Sequence, residues 1–365
     1  MRLGSRSHWQ FSPASGNFAS TSWDRGARVT IRLAIIGAGI MGADHARIFA
    51  EDLSGAEIAV VCDADEGRAR DVADRHGIAT AMTDPEAALA RDDVDAVVVA
   101  SPDATHAPLT LACIRAGKPV LCEKPLSQDP GECRAVIDAE VAAGRRFVQV
   151  GFMRRYDPAY EALKSALDTG RLGRALMMHN LHRNVVTPEW FTGAMAITNS
   201  APHEFDVARH VLETELVGVA AVQPRRSDDR VAPVVLTFET ADGQIVTVEV
   251  NNNAAYGYDV RGELVGETGS MDFGTPVRAR AHADLEAREP YDADWRGRFF
   301  EAYRRQNKAF LAFCRTGRFP AIAADAWDGM IATIVAQAGV RALASGAWTT
   351  IELPDRPALY DGGRA

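Results

Sequence analysis

The stretch Gly37-Ala38-Gly39-Ile40-Met41-Gly42 constrains this chain more than any other. It follows an apolar run, Arg32-Leu33-Ala34-Ile35-Ile36, and opens a segment with helical spacing from Met41 to Glu51. A strand that turns through glycines into a helix binds phosphate for a physical reason. Gly37 permits the tight turn, Gly39 lets the backbone approach a pyrophosphate, and Gly42 allows the helix to pack close to the strand. The anion then meets the N–H groups of Ile40, Met41 and their neighbours at the positive end of the helix dipole. The expected ligand is a dinucleotide.

The surrounding pattern agrees. From Ile31 to Gly151, short Val- and Ile-rich runs alternate with Ala-rich helical segments. The predicted strands are Ile31–Ile36, Glu57–Cys62, Asp95–Ala100, Pro119–Cys122 and Phe147–Val150. They are apolar throughout, as strands buried on both faces of a parallel sheet are. The predicted helices are Met41–Glu51, Asp65–His76, His106–Ala116 and Pro130–Ala143. Alternation of this kind predicts a doubly wound α/β domain. After Tyr156 the pattern changes. A helix over Pro158–Thr169 and a strand over Ala175–Leu181 lead to a helix beginning near Pro202. Five strands follow: Leu216–Gln223, Pro233–Glu239, Gln244–Asn251, Tyr258–Gly266 and Gly269–Phe273. Asp242-Gly243 reads as a hairpin turn between two of them. Helices Trp295–Arg315 and Ala324–Ser345 and a strand Trp348–Glu352 close the chain. The expected organisation is a flexible extension over 1–30, a Rossmann domain over 31–151, an α+β domain with a large, mostly antiparallel open sheet over 152–352, and a tail over 353–365.

Asp63 ends the second predicted strand, 21 residues beyond Gly42. A carboxylate there accepts hydrogen bonds from the adenosine ribose and repels a 2′-phosphate. The next residues are Ala64 and Asp65, with no arginine directly following, which points to NAD rather than NADP. Ligands of open α/β sheets bind at the carboxyl edge of the strands. Ser101 and His106 fall on that edge, as a loop with a helix cap or as cofactor contacts. So does Cys122-Glu123-Lys124-Pro125, where a lysine can orient and polarise a substrate hydroxyl instead of standing as a solvated charge.

Net charge is −9, which argues against nucleic acid or an anionic membrane surface as the main partner. No apolar run approaches the ~18 residues of a membrane span. The five cysteines form no CxxC pair and fit reduced thiols in a cytoplasmic protein. His203, Glu204, Asp206 and His210 lie on one predicted helix, but the first three fan around its axis and there is no HExxH, so no metal site is expected.

The glycine turn, the Glu123-Lys124-Pro125 segment, Gln149-Val150-Gly151-Phe152-Met153-Arg154-Arg155-Tyr156-Asp157 and His203-Glu204-Phe205-Asp206 occur in an order that resembles the Gfo/Idh/MocA oxidoreductases. The last two stretches, with Tyr256-Gly257-Tyr258-Asp259-Val260 and Val265-Gly266-Glu267, most resemble the myo-inositol 2-dehydrogenases of that family. The resemblance covers about Ile31 to Glu352. It implies that Lys124 is the catalytic lysine, that His203 is the general base, and that Met153, Arg154, His182 and Asn184 line the substrate pocket. The implied reaction is oxidation of a secondary hydroxyl of an inositol, cyclic polyol or sugar. A hydride passes to NAD and a proton to an imidazole, whose unperturbed pKa of ~6.5 suits the task. The active site is expected between the domains, and a homo-oligomer, dimer or tetramer, is expected to bury the open sheet.

One position departs from the inositol dehydrogenases. They carry Asp four residues before this histidine; here it is Asn199. An amide can orient an imidazole but brings no charge to stabilise the imidazolium. Three readings follow: a slower enzyme or one working at higher pH, a different sugar or polyol whose hydroxyl Asn199 bonds, or a catalytically silent NAD- and sugar-binding protein. A further alternative is a glycoside-processing enzyme that retains its NAD and acts by transient oxidation.

Overall fold

The computed structural model describes residues 30–226, 230–274 and 280–363. The expected extension over 1–30 therefore lies almost wholly outside the described residues.

The chain forms two compact units. The first carries a six-stranded, wholly parallel sheet of order β3-β2-β1-β4-β5-β6: β1 (Ile31–Ile36), β2 (Ala56–Cys62), β3 (Ala81–Met82), β4 (Ala96–Val99), β5 (Val120–Cys122) and β6 (Val148–Val150). The two-residue β3 is too short to leave a hydrophobic run, and the sequence pattern does not show it. Helices α1 (Ile40–Arg47), α2 (Glu66–Arg75), α3 (Pro85–Leu89), α4 (His106–Arg115) and α5 (Pro130–Ala143) connect the strands. Their starts follow local chemistry: Asp65, Asp84 and Asp129 each accept backbone N–H groups of the first turn of α2, α3 and α5.

The second unit is built on a seven-stranded sheet. Its helices are α6 (Pro158–Asp168), α7 (Gly193–Met195) and α8 (Pro202–Leu212). Its strands are β7 (Ala175–Arg183), β8 (Leu216–Val222), β9 (Val234–Thr240), β10 (Ile245–Asn251), β11 (Asp259–Gly266) and β12 (Ser270–Phe273), with β13 (Ala281–Ala283) and β14 (Glu286–Arg288) as a separate hairpin and β15 (Thr349–Thr350) at the sheet's edge. The order is β12-β11-β7-β10-β9-β8-β15, and only β7 and β10 run parallel. Here the strands alternate: Val234, Leu236 and Phe238 are buried while Val235 and Glu239 point outward, as in a sheet with one covered face.

The units are not divided at one point of the chain, as the sequence led us to expect. Tyr303–Met330 and the residues from Asp355 onward belong with the first unit. The reason is apolar burial. Phe310, Leu311, Phe313 and Cys314 of α9 (Trp295–Thr316) complete the core formed by Leu33, Ile35, Val61 and Val98. The stretch expected as a tail is likewise tied in, because Tyr360 is buried and donates its hydroxyl to the buried Glu140. Both α9 and α10 (Ala326–Ser345) pass from one unit to the other.

Candidate active site

The glycine turn sits at the carboxyl end of β1, and its three glycines are needed for different reasons. Gly37 has φ +98°, and a Cβ there would lie 2.5 Å from the Ala100 carbonyl. A Cβ on Gly42 would lie 1.8 Å from the Gly37 oxygen. The protein's own packing demands both. Gly39 is different: a Cβ there would meet nothing within 4 Å. The space above it is a cradle that a side chain would fill, which is what close approach by a pyrophosphate requires. No side chain caps α1, and its first turn holds no acidic residue. Ile40 stands exposed beside the opening and Met41 is half-buried. A dinucleotide fits these residues.

Asp63 closes β2 under the same turn. One carboxylate oxygen accepts the Ala38 N–H at 2.7 Å; the other accepts the Asp65 N–H at 2.9 Å and the Arg68 guanidinium at 2.8 Å. Burial works against the ionised form, but Arg68 and these amides outweigh it and hold the carboxyl below its usual value. The sequence shows no arginine next to Asp63; one turn of α2 brings Arg68 back onto it. A carboxylate offers about four lone-pair sites, and the four hydrogen bonds from Ala38, Asp65 and Arg68 take them up.

Ser101, His106, Glu123 and Lys124 occupy the same edge, at the ends of β4 and β5. Ser101 bonds Thr105, hydroxyl to hydroxyl, at 2.6 Å. His106, expected as a cofactor contact, has both ring nitrogens engaged: Nδ1 with the Pro125 carbonyl at 2.7 Å and Nε2 with the Ser101 carbonyl at 2.8 Å. Two carbonyl acceptors are satisfied only by a ring protonated on both nitrogens. Burial opposes that charge, but Cys122, the Pro125 carbonyl and Asp103 prevail and push the ring up to about 9. His106 is thus a brace between two loops. Glu123 also turns inward from its expected cofactor contact. Its Oε1 meets His45 Nε2 at 2.9 Å and its Oε2 accepts the Lys124 N–H at 3.2 Å. Lys124 is half-buried and joined to Pro125 by a cis peptide bond.

The second unit gathers a different set. Met153 and Arg154 lie on a buried 3-10 turn, Met153–Tyr156. Arg154, expected to line the substrate pocket, donates Nη1 to Glu204 and places Nη2 3.2 Å from His182 Nδ1. The Glu204 carboxylate in turn lies 3.3 Å from that nitrogen, and Asn184 Nδ2 lies 3.3 Å from His182 Nε2. Both ring nitrogens thus face donors, Arg154 at Nδ1 and Asn184 at Nε2, and Nδ1 also faces the Glu204 carboxylate. Burial would raise the Glu204 carboxyl, but Arg154 and His182 pull it below its usual value. The neighbouring pair, Arg155 with Asp206, is bidentate at 2.8 and 2.6 Å. The two carboxylates weighed as metal ligands are therefore committed to arginines. His203, next to Glu204 on α8, is buried, and Asn199 lies in the π-helical turn Ala196–Ser200 before it. The Asn199 Oδ1 accepts the Thr198 hydroxyl at 2.7 Å.

Two family models match the chain. Residues 31–152 match the oxidoreductase family with NAD-binding Rossmann fold, and residues 160–272 match the GFO/IDH/MocA C-terminal domain. The protein named inositol 2-dehydrogenase 1 of Saccharopolyspora erythraea is 45% identical over 337 residues, covering 91% of this chain and 99% of that protein. The chain belongs to the Gfo/Idh/MocA oxidoreductase family. The inositol 2-dehydrogenase of Streptomyces avermitilis is 43% identical, covering 90% of this chain and 96% of its own. Among solved structures, myo-inositol dehydrogenase from Lactobacillus casei in complex with NAD(H) and myo-inositol matches at a TM-score of 0.86 and 29% identity, covering 91% of this chain and 99% of its own. Family membership identifies the first unit as an NAD-binding Rossmann domain, in agreement with the open glycine and Asp63.

Four residues with a part in these sites escaped the sequence reading: Arg68, His45, Asn307, whose amide meets the His45 ring, and Glu204 as the partner of Arg154. Arg68 carried a signal, the i, i+5 return of a helix onto the strand end. The other three are joined to their partners across 22 to 262 residues of sequence, and local spacing holds no trace of that.

Proposed function

We propose that this protein oxidises a secondary hydroxyl of an inositol or a closely related cyclic polyol with NAD. The observation that carries the reading is the carboxyl edge of the parallel sheet. There an open glycine cradle, a carboxylate and a lysine stand at the ends of β1, β2 and β5, all on one edge of the sheet. The polyol class is supported by relatives at 45 and 43% identity that are named inositol 2-dehydrogenases.

Gly39 and the N-terminus of α1 would hold the pyrophosphate, and Asp63 the adenosine ribose. Bound there, NAD supplies the hydride acceptor. Lys124 orients the hydroxyl being oxidised. The His203 imidazole takes the hydroxyl proton. Met153, His182 and Asn184 supply the recognition surface, with Arg154 and Glu204 fixing the His182 ring. Asn199 keeps the position four residues before the base uncharged and biases the enzyme toward a substrate whose hydroxyl the amide can bond.

Purified protein given NAD and a panel of inositols and pyranoses is expected to form NADH with at least one inositol, and Lys124→Ala to abolish it. No NADH across the panel, or an unaffected Lys124→Ala, defeats the reading. Asn199→Asp is expected to raise myo-inositol oxidation; loss of activity on the preferred substrate marks Asn199 as a specificity residue instead.

We further propose a homo-oligomer, dimer or tetramer, that covers the outer face of the seven-stranded sheet. That face carries His179, Leu181, Thr247 and Glu249 at partial exposure. Among the described residues no helix is long and apolar enough to cross a membrane. The five cysteines are buried and unbridged, which supports placement in the cytoplasm.

A further inference from the structure

Beneath Lys124 lies a hydrogen-bond chain that the proposed reaction does not use. Asn307 Nδ2 lies 3.0 Å from His45 Nδ1, His45 Nε2 lies 2.9 Å from Glu123 Oε1, and Glu123 Oε2 accepts the Lys124 N–H at 3.2 Å. His45 and Asn307 are fully buried and Glu123 is 5% exposed. The three come from distant parts of the chain: the helix after the glycine turn, the end of β5, and α9.

We infer that His45 and Asn307 are positioning residues for Lys124, acting through Glu123 by a chain whose proton order is set by the Asn307 amide. The inference rests on the assignment of Lys124 to the substrate hydroxyl. The chemistry allows one direction. An amide nitrogen only donates, so Nδ1 of His45 accepts and its single proton sits on Nε2. That proton goes to Glu123 Oε1. Each oxygen of Glu123 then receives one hydrogen bond from a group fixed by packing, and the second of these groups is the backbone of Lys124 itself.

Glu123 has little freedom to do otherwise. A Cβ on Gly151 would come within 2.9 Å of the carboxyl carbon, so the carboxylate lies flat against the Gly151 backbone. Its own N–H is held by the Val99 carbonyl at 2.8 Å. Without His45, a buried carboxylate loses a charge-assisted donor and draws the nearest cation or water toward itself. Lys124 is the adjoining residue. The lysine is then drawn to Glu123 and away from the hydroxyl it orients.

The Asn307 amide also sets the charge. Among the described residues its Oδ1 is buried with no hydrogen-bond partner. Turned around, that oxygen would face Nδ1 and require a second proton on the ring, making an imidazolium beside Glu123. Asn307→Asp enforces that state, because a carboxylate only accepts.

The test measures kcat, KM for the polyol, NAD binding by fluorescence and melting temperature, for the wild type, His45→Ala, His45→Gln, Asn307→Asp and Lys124→Ala. For His45→Ala we expect kcat to fall by about 10–100-fold, since a misplaced reacting group costs on that order, while the NAD dissociation constant stays within about 3-fold. His45→Gln returns an N–H to Glu123 and is expected to recover most of kcat. Asn307→Asp is expected to lower kcat and displace its pH profile. The inference is overturned if His45→Ala keeps wild-type kcat, or if its loss follows NAD affinity or melting temperature and glutamine does not rescue it. Should His45→Ala fail to fold, Asn307→Asp decides, and an unchanged kcat and pH profile overturns the inference. If Lys124→Ala is itself active, the assignment of Lys124 fails; if it is inactive while His45→Ala is not, only the positioning chain fails.

Discussion

The two polar regions of this protein are built on opposite plans. At the carboxyl edge of the parallel sheet, recognition rests on backbone, and the space over Gly39 stays open. In the second unit, Arg154, Arg155, Glu204 and Asp206 are buried side chains, each carboxylate matched to an arginine. An open backbone site gives up little folding stability to hold a ligand. A set of buried charges must be paired inside the protein before it can present anything. The first region should therefore respond to substitution in binding, and the second in stability.

The largest effect tests the closed region. Glu204→Gln leaves Arg154 buried without its counter-charge and is expected to cost about 3–5 kcal/mol of stability, read by urea denaturation. A loss below ~1 kcal/mol would show that the pair is not what holds the second unit. The open region should behave in the reverse way. Gly39→Val adds a side chain whose Cβ meets no protein atom within 4 Å. NAD affinity is expected to drop by more than about tenfold while unfolding changes by less than ~1 kcal/mol, measured by titration calorimetry and denaturation. Equal affinity in the variant would mean that nothing approaches that backbone.

The next effect is one of pH. His106 is raised in the folded state to about 9 from an ordinary value near 6.5. Its contribution is fully present below about pH 6.5 and lost as pH rises through 9. Wild-type stability should fall across that window by on the order of 2 kcal/mol, and His106→Gln should flatten the fall. A pH-independent wild type would remove the doubly protonated brace. The smallest effect concerns Arg68, which occupies Asp63 at 2.8 Å from an exposed position. Arg68→Ala is expected to tighten NAD binding by about 2–5-fold, the scale of an exposed ion pair. Weaker binding would mean that Arg68 contacts the cofactor instead of competing with it.

Local chemistry made the first region legible. The glycines, Asp63 and Lys124 each end a strand, and an unbroken apolar run marks a parallel strand without any knowledge of its neighbours. The hairpin at Asp242-Gly243 was legible for the same reason, with Gly243 at φ +80°. What stayed hidden was whatever depended on partners remote in sequence. His106 and Glu123 stand on the expected edge, but their side chains turn to a carbonyl or to His45 and not outward. The domain boundary was hidden in the same way. The apolar face of α9 is plain in the sequence, but no spacing says that Phe310 and Phe313 fill the core of a sheet that ended 160 residues earlier.

The sequence alone determined the alternation of strand and helix, the dinucleotide turn, the preference for NAD and the order of motifs that places the chain in its family. These are properties of consecutive residues, set by steric freedom, hydrophobic period and the positive end of one helix. Only the tertiary structure decided which charged groups are spent inside the protein and which remain available. That depends on which surfaces are buried against one another. Asn199 belongs with the second kind: the sequence shows an amide where the family resemblance implied a carboxylate, and the fold engages its oxygen with Thr198.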